Sequence, residues 1–249
     1  MTRIASHRGG TLEFGDSTPQ GFTATSQMAL EEVEFDVHPT LDSAIVVHHD
    51  ATLDATTDTS GTIAQMTLAQ IRKATIRYSA GGHPMTLEEL CTLYADSTVN
   101  FRCEIKPDAD GMPYGDFVHR VISVLRQHGM LERTVFSSFL VRSMDEIAQA
   151  TDRPRLWLVS PSVLRQLGAD AVIEVAKAHA IGEVGIHIDT TDAALKDLFQ
   201  SAGIEFGCWA AHTSEQITKA LNLGVKVFTT DRPTLAIAIR DSHQGGRRA

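Results

Sequence analysis

Short β-type runs alternate with longer amphipathic stretches along nearly the whole chain, and this alternation limits the possible folds more tightly than anything else in the sequence. Candidate strands lie at residues 3–6, 32–37, 100–106, 134–137, 155–159, 183–188, 205–209 and 226–229. Most of the gaps hold helix candidates, at 114–127, 141–150, 162–180, 192–202 and 214–222. Strands separated by helices are expected to be parallel and joined by right-handed crossovers. One further run, 44–48, follows 32–37 after Thr40-Leu41-Asp42-Ser43, too short a link for a parallel crossover, so it forms a hairpin arm. With that arm set aside eight strands remain, the number that closes an α/β TIM-type (β/α)8 barrel. The expected organisation is one catalytic barrel over 1–240, a hairpin and loop insertion at about 38–86, and a flexible tail at 241–249. Within the insertion, 54–82 is rich in Thr, Gly and Ser and reads as an extended loop with one short helix at 68–74.

Composition narrows the function classes. A chain of 249 residues with 43% hydrophobic content can build a sizeable core. A net charge of −9 argues against nucleic acid as a partner, because a basic footprint is needed to displace counterions. No run of eighteen apolar residues is present, which argues against stable membrane insertion, and the N-terminus has no secretory pattern. Cys91, Cys103 and Cys208 are scattered, with neither a CxxC pair nor a disulfide framework, so a reducing, cytoplasmic setting is expected. Nothing fixes the oligomeric state, and a homo-oligomer stays open.

Active sites of such barrels sit at the C-terminal ends of the strands. Those ends read His7-Arg8-Gly9, Glu34-Phe35-Asp36, Glu104-Ile105-Lys106, Ser137-Ser138, Trp209 and Asp231, and the hairpin arm adds His48-His49-Asp50. Glu34 and Asp36 lie two apart on one strand and so share a face, as do Glu104 and Lys106 on the next. Three carboxylates aimed into one mouth repel one another unless a cation bridges them, and hard oxygen ligands suit Mg²⁺, Ca²⁺ or Mn²⁺. Taken alone, each pair reads more readily as a solvated rim; two nearby imidazoles reverse that weighting. Phosphodiester cleavage needs one group to take a proton from the nucleophile and another to protonate the leaving oxygen, which His7 and His49 can supply. Arg8 and Lys106 can hold the non-bridging phosphate oxygens.

The run HRG…EFD…HHD…EIK…TDRP, from His7 to Pro233, resembles the glycerophosphodiester phosphodiesterase family, with five motifs in the right order. The resemblance implies a TIM barrel with His7 and His49 as the acid/base pair and one divalent ion on Glu34, Asp36 and Glu104. It places Arg8 and Lys106 on the phosphate. It implies a small-molecule glycerophosphodiester substrate and release of sn-glycerol 3-phosphate and an alcohol. A substrate hydroxyl would attack first, giving a cyclic phosphate that water opens. Three positions depart from the family pattern: Asp16 stands for the Glu of PENT, Ala55 for the Arg of RTT, and His212 for the Asn of WTVN.

Other candidates carry two readings each. Trp209 is either a stacking surface for the substrate or core. His212 is either a third titrating group or, more in keeping with its context, a helix-start histidine in water. Only one of His48 and His49 can face the metal, and the adjoining Asp50 favours His49. Asp231, just before Arg232-Pro233, is expected to cap a helix. A phospholipase-D-like lipid phosphodiesterase and a metal-retaining binding protein with weak or no turnover are the competing functions. The first lacks an exposed aromatic rim, and retention of both histidines opposes the second.

Overall fold

In the computed structural model, which describes residues 1–78 and 81–245, eight parallel strands close into a barrel. They are β1 (Arg3–His7), β2 (Glu32–Pro39), β4 (Asn100–Ile105), β5 (Thr134–Ser138), β6 (Arg155–Val159), β7 (Glu183–His187), β8 (Glu205–Trp209) and β9 (Val227–Thr230), with β1 pairing both β9 and β2. The remaining strand, β3 (Ile45–Val47), is the antiparallel hairpin arm on β2. β4 runs along one edge of β2 from Glu32 to Val37. On the other edge β1 pairs with Glu32–Glu34, and β3 takes over where β1 stops, pairing Val37 with Val47. The backbone N–H of His48 then donates to the carbonyl of Asp36 at 3.1 Å, which brings His49 back over the mouth.

The helices are α1 (Thr11–Phe14), α2 (Pro19–Thr25), α3 (Leu68–Ile71), α4 (Leu87–Leu93), α5 (Phe117–Gln127), α6 (Val141–Ala150), α7 (Pro161–Leu167), α8 (Ala169–Ala178), α9 (Ala193–Ser201), α10 (Ser214–Leu223) and α11 (Pro233–Gly245). The single helix expected at 162–180 is two, divided at Gly168, whose φ of 78° no helix accommodates. Local signals set several starts: Thr86 with Glu89 and Thr213 with Gln216 form capping boxes, and Ser160 caps α7 with Pro161 in its first turn. α11 runs to Gly245, so it takes in the first residues of the segment expected as tail; 246–249 lie outside the described residues.

Alternation in β2 and β4 sends Val33, Phe35, Val37, Phe101, Cys103 and Ile105 outward into the layer between sheet and helices, where all are buried. The barrel interior differs from the usual filling of branched aliphatics. Arg102, 2% exposed, lies inside with its Nε 2.6 Å from Glu32 and its Nη2 3.6 Å from Glu183. Arg3 and Lys226 close the other sides of these carboxylates, at 2.6 and 2.5 Å. A ladder of ion pairs, buried at Arg102 and part-exposed at Arg3 and Lys226, thus underlies the mouth.

Candidate active site

Beyond β1 the chain must turn sharply back over the barrel rim. Arg8 adopts a left-handed φ of 49°, strained for a residue with a side chain, and is held there by its N–H on the Glu34 carbonyl at 2.9 Å. Gly9 follows at φ 75°, with the α2 backbone so close that a Cβ would meet Phe22 N at 3.0 Å. The turn points the Arg8 guanidinium across the mouth, where Nη1 meets Asp16 at 2.8 Å and Nε meets Asp36 at 3.2 Å. The shorter Asp at position 16 still reaches its arginine.

Glu34, Asp36 and Glu104 converge as their spacing requires: each offers an oxygen within 4.8 Å of the others, and all three are buried. Lys106, one residue beyond β4, places its ammonium 3.0 Å from Glu104 and 3.5 Å from Asp36. Burial and the neighbouring Asp36 and Glu104 push the Glu34 carboxyl well above the usual carboxylate range. Burial likewise raises Glu104, against the pull of Lys106. Burial would raise Asp36 too, but Lys106 and Arg8 outweigh it and hold this carboxyl down. Both Asp36 oxygens and Glu104 Oε1 are buried without a hydrogen bond of good geometry; Arg8 and Lys106 face Asp36, and Lys106 faces Glu104. Three crowded hard-oxygen donors, two of them tending toward protonation, fit a divalent cation.

Two imidazoles reach the same cavity, each through an anchored Nδ1. His7 Nδ1 lies 2.5 Å from Asp231 Oδ1, and His7 Nε2 stands 3.8 Å from Glu34. With Nδ1–H donating to the carboxylate, Nε2 keeps its lone pair. Burial would raise Asp231, but the hydrogen bond and charge of His7 hold it low. His49 Nδ1 lies 2.6 Å from Asp50, and burial pushes this imidazole below its ordinary value. His48 is satisfied by the Asp50 carbonyl at 2.9 Å and Thr56 at 2.8 Å, whereas His49 lines the cavity.

The cavity, about 210 Å³, is lined on one side by His7, Arg8, Glu34, His49 and Glu104 and on the other by Phe139, Leu158, Trp209 and Ala210. Trp209 is half-buried on that apolar wall, edge-on to His187 at 4.5 Å and to Phe139 at 5.7 Å. All eight sequence-nominated residues therefore gather at one end of the barrel. A second hollow of about 500 Å³ opens around Arg3, Lys226 and Arg240, at the ends of the strands away from His7 and His49. Its cations are already engaged by Glu32, Glu183 and Glu31, so it offers a ligand little charge.

Two residues have other roles than their sequence context suggested. Asp231 was expected to cap α11; instead its carboxylate orients His7, and Glu13 of α1 caps that helix, accepting from Thr234 N at 3.0 Å and Leu235 N at 3.3 Å. His212 is half-buried on the cavity wall rather than at an exposed helix start, with its Nδ1 accepting the Asp231 N–H at 2.9 Å. A TDRP run cannot reveal that its Asp meets a histidine 224 positions earlier.

Known proteins share both sequence and fold. Residues 7–235 match the model of the glycerophosphoryl diester phosphodiesterase family. A solved structure from Agrobacterium tumefaciens strain C58, named after the glycerophosphoryl diester phosphodiesterases, is 73% identical with a TM-score of 0.97, covering 98% of this chain and 99% of its own. A glycerophosphodiester phosphodiesterase of Caldanaerobacter subterraneus is 25% identical over 95% of this chain and 96% of its own length. A phosphodiesterase of Oleispira antarctica, solved with its product sn-glycerol-3-phosphate, shares the fold at TM-score 0.80 and 22% identity, over 97% of each chain. The match begins at His7 itself and ends just inside α11, spanning all eight barrel strands but the first residues of β1. The chain therefore belongs to the glycerophosphoryl diester phosphodiesterase family and is a phosphoric diester hydrolase.

Proposed function

We propose that this enzyme hydrolyses glycerophosphodiesters to sn-glycerol 3-phosphate and an alcohol, with a divalent ion on Glu34, Asp36 and Glu104 and with His7 and His49 as the acid/base pair. One observation carries the reading: two imidazoles, each anchored through Nδ1 on a carboxylate, border the cavity that Glu34 and Glu104 line, and Asp36 clusters with those two carboxylates. When bound, Mg²⁺, Ca²⁺ or Mn²⁺ would neutralise charge on the phosphoryl oxygens and acidify a coordinated hydroxyl.

The chain's own groups then divide the work. Arg8 and Lys106, the cations that face the cage, bind the non-bridging oxygens of the diester. One histidine withdraws the proton from a hydroxyl of the substrate glycerol as that oxygen attacks phosphorus. The other protonates the departing alcohol oxygen, and the bond from phosphorus to it breaks. The roles then exchange: water, deprotonated by the second histidine, opens the cyclic phosphate, and the first returns its proton to the ring oxygen released. The sum is one diester and one water giving one phosphomonoester and one alcohol. Trp209 and Phe139 provide an apolar wall for the substrate's carbon atoms.

Residues 1–240 act as one catalytic unit in this reading, with 38–86 as the insertion that delivers His49. Buried, unpaired Cys91, Cys103 and Cys208 fit a cytoplasmic setting, and no helix among the described residues is long and apolar enough to cross a membrane. The test is a coupled glycerol 3-phosphate assay over a panel of diesters. Activity is expected to vanish in EDTA and return with Mg²⁺, Mn²⁺ or Ca²⁺, and His7→Ala and His49→Ala should each lower kcat by about 10²–10⁴-fold. Full turnover in the chelator, or in both variants, overturns the reading.

A further inference from the structure

His212 belongs to neither the carboxylate cage nor the acid/base pair, yet the loop after β8 sets its ring at the same cavity. Its Nδ1 accepts the backbone N–H of Asp231 at 2.9 Å, so that nitrogen carries no proton and the ring's hydrogen sits on Nε2. The ring is held from other sides as well. His212 N donates to Gln216 Oε1 at 3.0 Å, and the imidazole lies 6.0 Å from that of His7, tilted by 35°. Among the described residues no acceptor meets Nε2. Burial holds the imidazole below its ordinary value, ahead of the opposing pull of Asp231, which favours the neutral ring.

A neutral, oriented N–H at the wall of a substrate cavity serves a hydrogen-bond acceptor of the substrate. We propose that His212 is a substrate-binding residue whose Nε2–H donates to an oxygen of the bound phosphodiester on the side served by His7. This rests on the reading of His7 as an acid/base at the phosphorus. The substitution pattern is informative here, since by resemblance an asparagine usually stands at this position. An asparagine amide oxygen can take the place of Nδ1 and accept the Asp231 N–H, but its side chain ends there and offers no donor where Nε2 stands. The histidine therefore keeps the internal contact and adds a donor that reaches further into the cavity.

The two roles separate by mutation. His212→Asn keeps an acceptor for Asp231 and removes the cavity donor, while His212→Gln carries an amide N–H out to the Nε2 position. With sn-glycero-3-phosphocholine and Mg²⁺, His212→Asn is expected to lower kcat/KM about tenfold, mostly through KM, with its Tm close to that of the parent. His212→Gln should recover most of that loss even if its Tm falls. A loss of less than threefold in His212→Asn overturns the proposal, and so does an equal loss in both variants. His7→Ala is measured alongside: if it retains turnover, the acid/base reading fails, and the His212 series is then read without it.

Discussion

A carboxylate that fixes the tautomer of an imidazole acts on turnover more than on binding. Asp231 stands in that relation to His7, so Asp231→Asn is expected to lower kcat by about 10²-fold with little change in Tm; a kcat within threefold of the parent would reduce this carboxylate to a structural contact. His38 supplies a different titration, behind the His49 backbone. It is 1% exposed, bonded to Tyr114 Oη at 2.9 Å and the His49 carbonyl at 3.1 Å, and burial lowers its pKa from 6.5 to about 4. Below pH 6.5 the unfolded chain binds a proton that the folded one refuses, so the contribution of His38 is full above that pH and shrinks toward pH 4, by about 3 kcal/mol in all. Urea unfolding at pH 7 and pH 5 should show a larger acid loss for the parent than for His38→Gln; equal losses would reject the buried neutral ring. At this scale the sequence was informative wherever the placement of a side chain follows from its position on a strand. Glu34, Asp36, Glu104 and Lys106 were legible from period-two spacing, and His7 from its place at a strand exit. Asp231, His212 and Asp16 were not, because their partners lie 224, 19 and 8 residues away, joined only by the closure of the barrel or the turn over its rim.

Elements were readable in proportion to their length. Strands of alternating pattern and the longer helices α5, α6, α9 and α10 stand out, whereas α1 spans four residues and α2 seven, too short for a helical period to repeat. The break between α7 and α8 hides for another reason: it rests on one residue, Gly168, whose positive φ separates the two helices. Short α1 still matters, because Glu13 caps the first turn of α11 through two backbone N–H groups. Glu13→Ala should therefore cost about 1 kcal/mol, read as a lower urea midpoint with an unchanged slope. An unshifted midpoint would leave water to cap that helix equally well.

The barrel as a whole is built around charge. Arg102 reconciles Glu32 with Glu183 in an interior that branched aliphatics normally fill, and nothing in the alternation of strands and helices announces this. Arg102→Met takes from Glu32 and Glu183 their shared buried partner, leaving each a single part-exposed cation, and is expected to destabilise the fold by about 3 kcal/mol, measured by chemical denaturation; a loss under about 1 kcal/mol would mean that Arg3 and Lys226 suffice. A ligand ion works in the opposite sense. Mg²⁺ at about 100 times its dissociation constant should add about 2.7 kcal/mol of stability, an increment absent from Asp36→Asn. One strand concentrates these dependencies. β2 carries Glu34 and Asp36, pairs its outer half with β3, and through the His48–Asp36 bond sets where His49 hangs. Inserting one residue before Glu34 would swing both carboxylates out among the helices, draw Phe35 inward, and drag the histidine off its mark in the same stroke. Glu34, Asp36 and His49 thus share a single mechanical datum, so the placement of the carboxylates cannot be retuned by engineering without moving the histidine.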